Sequence, residues 1–379
     1  MITENRLKLS RITLGGFKSI HPEGQTIQFG DITVLLGANG SGKSNLVSFF
    51  QMLNHMMTNA LRRYIGENGS TEAFLHYGSS KTTRITAEIE FNNPDVTDIY
   101  KFSLAHAAGD TLIFTDETFS YQHRERENPY ERTLAIGQKE AGLPEEIKNP
   151  DAKTARVLFS LLKNCQAFQF HDTSKEARIK NKGYINDNRF LYGSGGNLAA
   201  YLYAMKNSAD GERYYRRIVR YIQQIMPQFS DFELAPLRLN ENQIMLNWRE
   251  IGSDYLFGPH QLSDGSLRFI AIATLLLQPP ATLPSVIIID EPELGLHPSA
   301  ISILAGMIKT ASQHCQIVLA TQSPRLVDEF EPKKIVIVER NADNRCSEFK
   351  ALDEEKLTDW LEQYSMSELW EKNVIGGQP

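Results

Sequence analysis

The stretch GANGSGKSNL, Gly37–Leu46, follows directly on the apolar run ITVLLG. No other feature constrains the chain as tightly. The form G-x-x-x-x-G-K-S lets successive backbone N–H groups point at phosphate oxygens, and the helix that follows presents its positive N-terminus to the same place. A lysine at the end of such a loop reaches the β- and γ-phosphates, and the next hydroxyl binds Mg²⁺. A chance glycine-rich turn would need neither the β-run before it nor the apolar helix after it. Here Leu46, Phe49, Phe50 and Leu53 recur at helical spacing behind the loop. A strand, a phosphate loop and a helix are therefore expected over Ile32 to about Tyr64.

Length and composition leave room for this and exclude several alternatives. The chain has 379 residues, enough for one large or two modest domains. With 41% hydrophobic and 23% charged residues it has the makeup of an ordinary globular protein. A formal net charge of -6 argues against a generally basic nucleic-acid coat, though not against a local basic patch. Cys165, Cys315 and Cys346 are far apart, odd in number and without a C-x-x-C, which speaks against a zinc site or a disulfide framework. A reducing cytosol is the simplest home. The N-terminus MITENRLKLS lacks the apolar core of a signal peptide. The longest apolar run, FIAIATLLL, is too short to span a bilayer. Internal repeats and sustained heptads are absent from the sequence, so no long coiled-coil arm is expected.

Periodicity organises the rest. Residues 7–36 read as short strands, and the loop then opens a helix. From about Thr82 to Ile136 the pattern alternates between turns such as NNPD and AAGD, which predicts an antiparallel meander. Residues 151–163 and roughly 195–226 read as helical, with a polar, Gly-rich loop between them and strands around 232–249. A βαβ pattern then returns: helix 265–277, strand SVIIID, helix 299–312, strands QIVLA and KIVIV. The strand before the phosphate loop and these late strands are expected to share one mostly parallel sheet. The fold class is α/β, with the middle of the chain inserted into a nucleotide-binding core. The end, LTDWLEQYSMSELWEKN, reads as amphipathic helix.

Two further motifs bear on chemistry. In SVIIIDEPELGLHP an apolar strand ends in Asp290, where a carboxylate reaches a Mg²⁺ shell. Glu291 follows at once, and strand alternation turns it toward a water that could attack the γ-phosphate. Standing alone, the pair would read as a solvated strand end before a Pro turn. LSDGS, Leu262–Ser266, heads helix 265–277. Ser263 can cap that helix, and a capped helix start is also an anion site. Because the chain already has a loop for its own phosphates, a second phosphate-seeking turn suggests service to another copy.

Phosphate loop, then LSDGS, then apolar-D-E is the motif order of the ABC-type ATPases, and LSDGS resembles their signature. DEPELGLHP, GGFKSI near the start and ATQSP after the third core strand resemble the RecF/SMC/OLD group, and HDTS, NLAAYLYAMK and WLEQYSMSELWEKNVIGGQP resemble its stand-alone "predicted ATPase" branch; transporter subunits usually continue D-E-P-T. The resemblance covers nearly the whole chain. It implies a P-loop NTPase, an ABC-type ATPase head with an inserted antiparallel β-subdomain and a helical lobe. Residues 1–165 would carry the P-loop and β-subdomain, 166–262 the lobe, 263–350 the signature and core strands, 351–379 the terminal helix and tail. It further implies that Gly37, Ala38, Asn39, Gly40, Ser41, Gly42, Lys43, Ser44 and Asn45 bind ATP, and that Ser44 and Asp290 serve Mg²⁺. Glu291 would be the general base, with Lys43 and Gln322 completing the catalytic set. Ser263 and Gly265 would touch the γ-phosphate held by a second subunit of an ATP-dependent homodimer.

Two positions depart from the family pattern. ATQSP offers Gln322 where a switch histidine normally sits; glutamine can hydrogen-bond a phosphate oxygen but carries no charge. Gln169 in AFQFHD reads either as the Q-loop glutamine or as an ordinary strand residue. Elsewhere, Arg213, Arg216, Arg217 and Arg220 fall on one helical face opposite Ile218, Ile222 and Ile225. The stripe reads as a solvated face or as a track for a phosphate backbone. His297 reads as a turn residue or as a contact to nucleotide across the dimer, His171–Asp172 as structural, and the Trp360/Leu361/Leu369/Trp370 cluster as packing or docking. The resemblance implies DNA transactions such as repair or antiviral defence through a separate effector, for instance a nuclease, with DNA as a possible partner and no membrane. The rival readings are a nucleotide-gated scaffold or toxin regulator without DNA contact, and a transporter subunit.

Overall fold

The computed structural model describes residues 6–134 and 136–378. Met1–Asn5 of the stretch read against a leader, Ala135 near the end of the meander, and Pro379 lie outside them. In chain order the strands are β1 (Lys8–Gly15), β2 (Gln25–Gln28), β3 (Ile32–Leu36), β4 (Arg84–Asn92), β5 (Val96–Ala107), β6 (Thr111–His123), β7 (Tyr130–Thr133), β8 (Cys165–Phe168), β9 (Gly183–Tyr184), β10 (Phe229–Glu233), β11 (Gln243–Ile244), β12 (Asn247–Glu250), β13 (Val286–Asp290), β14 (Gln316–Thr321), β15 (Ile335–Arg340) and β16 (Ser347–Ala351). The helices are α1 (Lys43–Met57), α2 (Leu61–Glu67), α3 (Leu143–Glu146), α4 (Lys153–Lys163), α5 (Leu198–Lys206), α6 (Glu212–Ile225), α7 (Asp264–Leu277), α8 (Pro298–Ala311), α9 (Pro324–Val327), α10 (Glu354–Leu361) and α11 (Met366–Glu371).

The chain divides into two compact units. The first runs to Gln166 and adds Ser285–Ile288 and everything from Gln316 onward. It contains two six-stranded sheets. One has the order β2-β1-β4-β5-β6-β7 and is antiparallel throughout. The meander expected over 82–136 is its larger part, and its alternation sends Ile85, Ala87, Ile89 and Phe91 inward. The other has the order β16-β15-β3-β14-β13-β8, with β3 parallel to both β14 and β15. ITVLL is buried at all five positions, as expected of a strand covered on both faces. The last residues of β8 and β13 pass into the second unit.

Three expectations need correction. The helix after the loop does not run unbroken to Tyr64. It stops at Met57, where the Thr58 hydroxyl turns back onto the Asn54 and His55 carbonyls and Asn59 adopts φ 53°, a left-handed helix end. The terminal stretch forms two helices rather than one. Ser365 and Glu368 make a capping box that starts α11 afresh, a signal present in S-M-S-E. Consequently Leu369 and Trp370 are buried while Trp360 is exposed beside Tyr364, so the four apolar residues do not act as one cluster. Edge strands β8 and β16 are short and half-polar, and their periodicity is too weak to read.

The second unit comprises Ala167–Pro284 and Ile289–Cys315. Helix α7 is apolar on nearly every side, and α5, α6 and α8 pack around it. Its polar loop, 171–194, is organised from within: buried Lys180 donates to the Thr173 carbonyl at 2.6 Å and to Asp264 Oδ1 at 2.9 Å. The three cysteines are free and buried. Among the described residues no helix is long and apolar enough to cross a membrane.

Candidate active site

In the first unit, the phosphate loop follows β3 and its Lys43 opens α1. Gly42 has φ 115°, and a Cβ there would lie 2.0 Å from Ser347 Oγ, so conformation and space both require glycine. As N-cap it has no side chain to satisfy the first-turn N–H groups, which leaves that end of α1 to an anion. Lys43 is buried, and its Nζ donates to the carbonyls of Gly37 (2.6 Å) and Ala38 (2.9 Å). Ser44 is exposed. Asn45 Nδ2 donates to Ser19 Oγ at 2.6 Å, which ties GGFKSI to the loop. Ser41 Oγ is buried with no hydrogen bond.

Several contributors escape sequence reading. The Ser347 hydroxyl donates to the Ser41 carbonyl at 2.5 Å and lies 2.6 Å from Ser19 Oγ. Arg340 Nε donates to the Gly40 carbonyl at 2.9 Å. The Ala38 N–H donates to the Gly377 carbonyl at 2.9 Å, and Gly377 N–H in turn to Glu339 Oε2 at 3.1 Å. The Gly376–Gly377 turn therefore props the loop from outside. Its only signal is the GG pair, with φ values of 79° and 81°. Gln322 follows β14 and is half-buried; the preceding Thr321 carbonyl accepts from Gly37 N–H at 3.4 Å.

In the second unit, Asp290 ends β13 with 5% exposure. Its Oδ2 accepts from Gln169 Nε2 at 3.0 Å, and its carbonyl lies 3.0 Å from His171 Nε2. Gln169 stands just past β8 rather than within it, and it meets the aspartate expected to serve the metal. Asp290 Oδ1 is buried without a hydrogen bond. A carboxylate held by one oxygen and open at the other fits a cation. Among the described residues no group of three or more His, Cys, Asp or Glu could hold a metal ion alone. A Mg²⁺ here would have to complete its shell with phosphate and water, as this ion ordinarily does. Glu291 has φ 44°, rare for a residue with a side chain, and is half-buried.

The LSDGS turn lies in this unit too. Ser263 Oγ accepts from Ser266 N–H at 3.1 Å and caps α7 while remaining exposed. A Cβ on Gly265 would sit 2.2 Å from the Gly295 carbonyl, so the turn is pressed backbone to backbone on the ELGLHP segment. Arg268, also missed, fixes the neighbourhood by donating to the carbonyls of Phe170 (3.2 Å), His171 (3.0 Å) and Leu294 (3.3 Å). His297 caps α8 through Ser299, in line with a turn role. Thus Gln169, His171, Asp290 and Arg268 are linked by hydrogen bonds that begin or end on one strand terminus and one loop.

A profile of the family described as "AAA domain, putative AbiEii toxin, Type IV TA system" matches residues 32–328. Among solved structures, the chain is similar to an Smc head bound to the C-winged helix domain of ScpA, with a TM-score of 0.57 at 16% identity. That match covers 93% of this chain and 99% of the other. An Smc head domain with an extended coiled coil, bound to the C-terminal domain of ScpA derived from Pyrococcus furiosus, gives a TM-score of 0.54 at 16% identity, covering 94% and 99%. At such identity the likeness is one of fold. No curated protein matches the sequence.

Proposed function

Because the chain belongs to the family described as "AAA domain, putative AbiEii toxin, Type IV TA system" and shares its fold with Smc heads, we propose that it is an ABC-type, ATP-binding and ATP-hydrolysing switch that dimerises on the nucleotide. The observation that carries the reading is Asp290: a buried carboxylate with Gln169 on one oxygen and the other oxygen open. In this reading Gly37–Asn45 cradle ATP, and Lys43 exchanges two loop carbonyls for phosphate oxygens. Ser44 and Asp290 hold Mg²⁺, which when bound would neutralise phosphate charge. Glu291 orients and deprotonates the attacking water, and Gln322 hydrogen-bonds the γ-phosphate without titrating near neutral pH. Ser263 and Gly265 serve the ATP held by a second copy. Closing and reopening the dimer is the output, and a separate cytosolic effector such as a nuclease would use it.

Phosphate release and molar mass by light scattering test this on the wild-type protein. With ATP and Mg²⁺ the mass should double and phosphate should appear; a chelator of divalent ions should stop release. A protein that neither dimerises nor releases phosphate under these conditions overturns the reading.

DNA is the proposed object, on the strength of the arginine stripe. On α6, Arg213, Arg216 and Arg220 are exposed, while Ile218 and Ile222 are buried on the other side. Part of the charge is already engaged, since Arg216 pairs with Glu212 and Arg213 lies over the Tyr214 ring. Replacing Arg213, Arg216, Arg217 and Arg220 by Glu should abolish binding that falls steeply with salt. Fluorescence anisotropy on single- and double-stranded DNA measures it. Equal binding by both proteins removes the stripe from the account. An inert wild type, with or without ATP, favours a second reading: the family description names a toxin–antitoxin system, and the chain would then be a nucleotide-gated scaffold or toxin regulator.

A further inference from the structure

Within the second unit one loop runs from Asp290 to the LSDGS turn. It begins with Gln169 and His171, which meet Asp290. Further along it brings Lys180 against Asp264, in the middle of LSDGS, with Nζ donating to Oδ1 at 2.9 Å. The lysine is held in place from several sides. A short 3₁₀ turn, Arg178–Lys180, carries it. Ile179 beside it is buried, packed so closely that a Cβ on Gly195 would lie 2.9 Å from its Cδ1. Asn181 Nδ2 closes the turn by donating to the Lys175 and Ala177 carbonyls, both at 2.9 Å. The Lys180 side chain is 9% exposed and that of Asp264 is 59% exposed. The ammonium therefore reaches the carboxylate from inside the unit, while the carboxylate stands at the surface.

That placement has an electrostatic consequence. Asp264 is the first residue of α7, directly after its N-cap Ser263. A carboxylate there suits the positive end of the helix, which is the same end that an anion from outside would use. One helix start cannot favour both, because an uncompensated Asp264 repels an incoming phosphate. A buried ammonium is itself unfavourable unless it is paired. Here each charge answers the other. The Lys180 ammonium, donating to the Asp264 carboxylate, holds that carboxyl below its usual range, and Thr173 and Arg268 act in the same direction. Arg268 hydrogen-bonds the carbonyls of Phe170, His171 and Leu294, whereas Lys180 makes the ion pair with Asp264.

We propose that Lys180 is a positioning residue for the shared ATP site: it neutralises Asp264 and holds it inward, so that the exposed LSDGS turn accepts the γ-phosphate carried by a second copy. Lys180 acts through Asp264 and touches no reacting atom itself. The proposal rests on the reading that Ser263 and Gly265 serve another copy's ATP. It adds to that reading a reason why an anion-accepting turn tolerates a carboxylate at its centre.

Light scattering on the full chain, with Mg²⁺ and a non-hydrolysable ATP analogue, tests it through the protein concentration at which dimers form. Lys180→Met should raise that concentration by about tenfold or more. Calorimetry on the same variant should show the analogue binding the phosphate loop as in the wild type. Raised salt should narrow the deficit, because it screens the repulsion between Asp264 and phosphate. Lys180→Met/Asp264→Asn removes both charges and should return the midpoint to within about threefold of the wild type. A lysine needed only for packing predicts no such rescue. Asp264→Asn alone, at an exposed position, leaves Lys180 unopposed and should tighten dimerisation severalfold. A wild-type midpoint in Lys180→Met overturns the proposal, and so does a double variant as impaired as Lys180→Met. If a melting curve shows that Lys180→Met does not fold, an unchanged midpoint in Asp264→Asn overturns it instead. A wild type that stays monomeric with the analogue overturns the shared-site reading and this proposal with it, a result distinct from a dimer that ignores the loss of Lys180.

Discussion

Glu291→Gln is expected to bind ATP as the wild type does, to lose turnover by about 10²- to 10⁴-fold, and to remain a dimer once ATP has been added. The substitution keeps shape and hydrogen-bonding size and removes only the basic oxygen. Geometry makes the expectation specific. β13 delivers Asp290 with its carboxylate fixed by Gln169, and the chain then turns sharply, with Glu291 at φ 44°. A left-handed residue with a side chain costs about 1–2 kcal/mol. A purely structural turn would relax with glycine there at no functional loss. Hence Glu291→Gly should raise thermal stability while losing the same turnover, and the pair of variants separates strain from chemistry. Phosphate release, light scattering with ATP and a melting curve measure all three. Wild-type turnover in Glu291→Gln removes Glu291 from the role of base.

How much of this was legible in the sequence depends on the range of the interaction concerned. The phosphate loop is a local object: its glycines, its lysine and the flanking strand and helix lie between Ile32 and Met57, in the order read, with only the helix end misplaced. The meander likewise follows from period-2 alternation. What escaped depends on pairs distant in the chain. Gln169 lies 121 residues from Asp290, and Ser347 lies 306 from Ser41. A lone glutamine at a strand end carries no local signal, and only the fold brings Gln169 against Asp290. Arg268 looks like an ordinary helix residue, yet it holds three carbonyls of two loops. Glycines sit between these cases. Gly265 reads as part of a signature, but its steric need comes from Gly295, thirty residues on. The arginine stripe shows the converse: periodicity gave the exposed face of α6 correctly and is silent on what meets it.

The largest structural claim is that ATP on the loop of one copy is read by the LSDGS turn of another. Two variants that damage different halves test it. Lys43→Ala removes the ammonium that lies on the Gly37 and Ala38 carbonyls. Ser263→Arg puts bulk at the exposed head of α7 and leaves the loop untouched. In a shared-site dimer each variant alone is defective in both sites and should be inactive. After subunit exchange, a mixed dimer has one doubly damaged site and one intact site, so ATPase activity should return in part. A site completed within one chain predicts no recovery at any mixing ratio. Obligate coupling between the two sites would also suppress recovery, and a wild-type/Lys43→Ala mixture measures that coupling. If the doubly mixed dimers form on ATP and stay inactive while the wild-type/Lys43→Ala dimers keep activity, the shared site is wrong. The exposed Ser263 hydroxyl would then be a helix cap to Ser266 and nothing more.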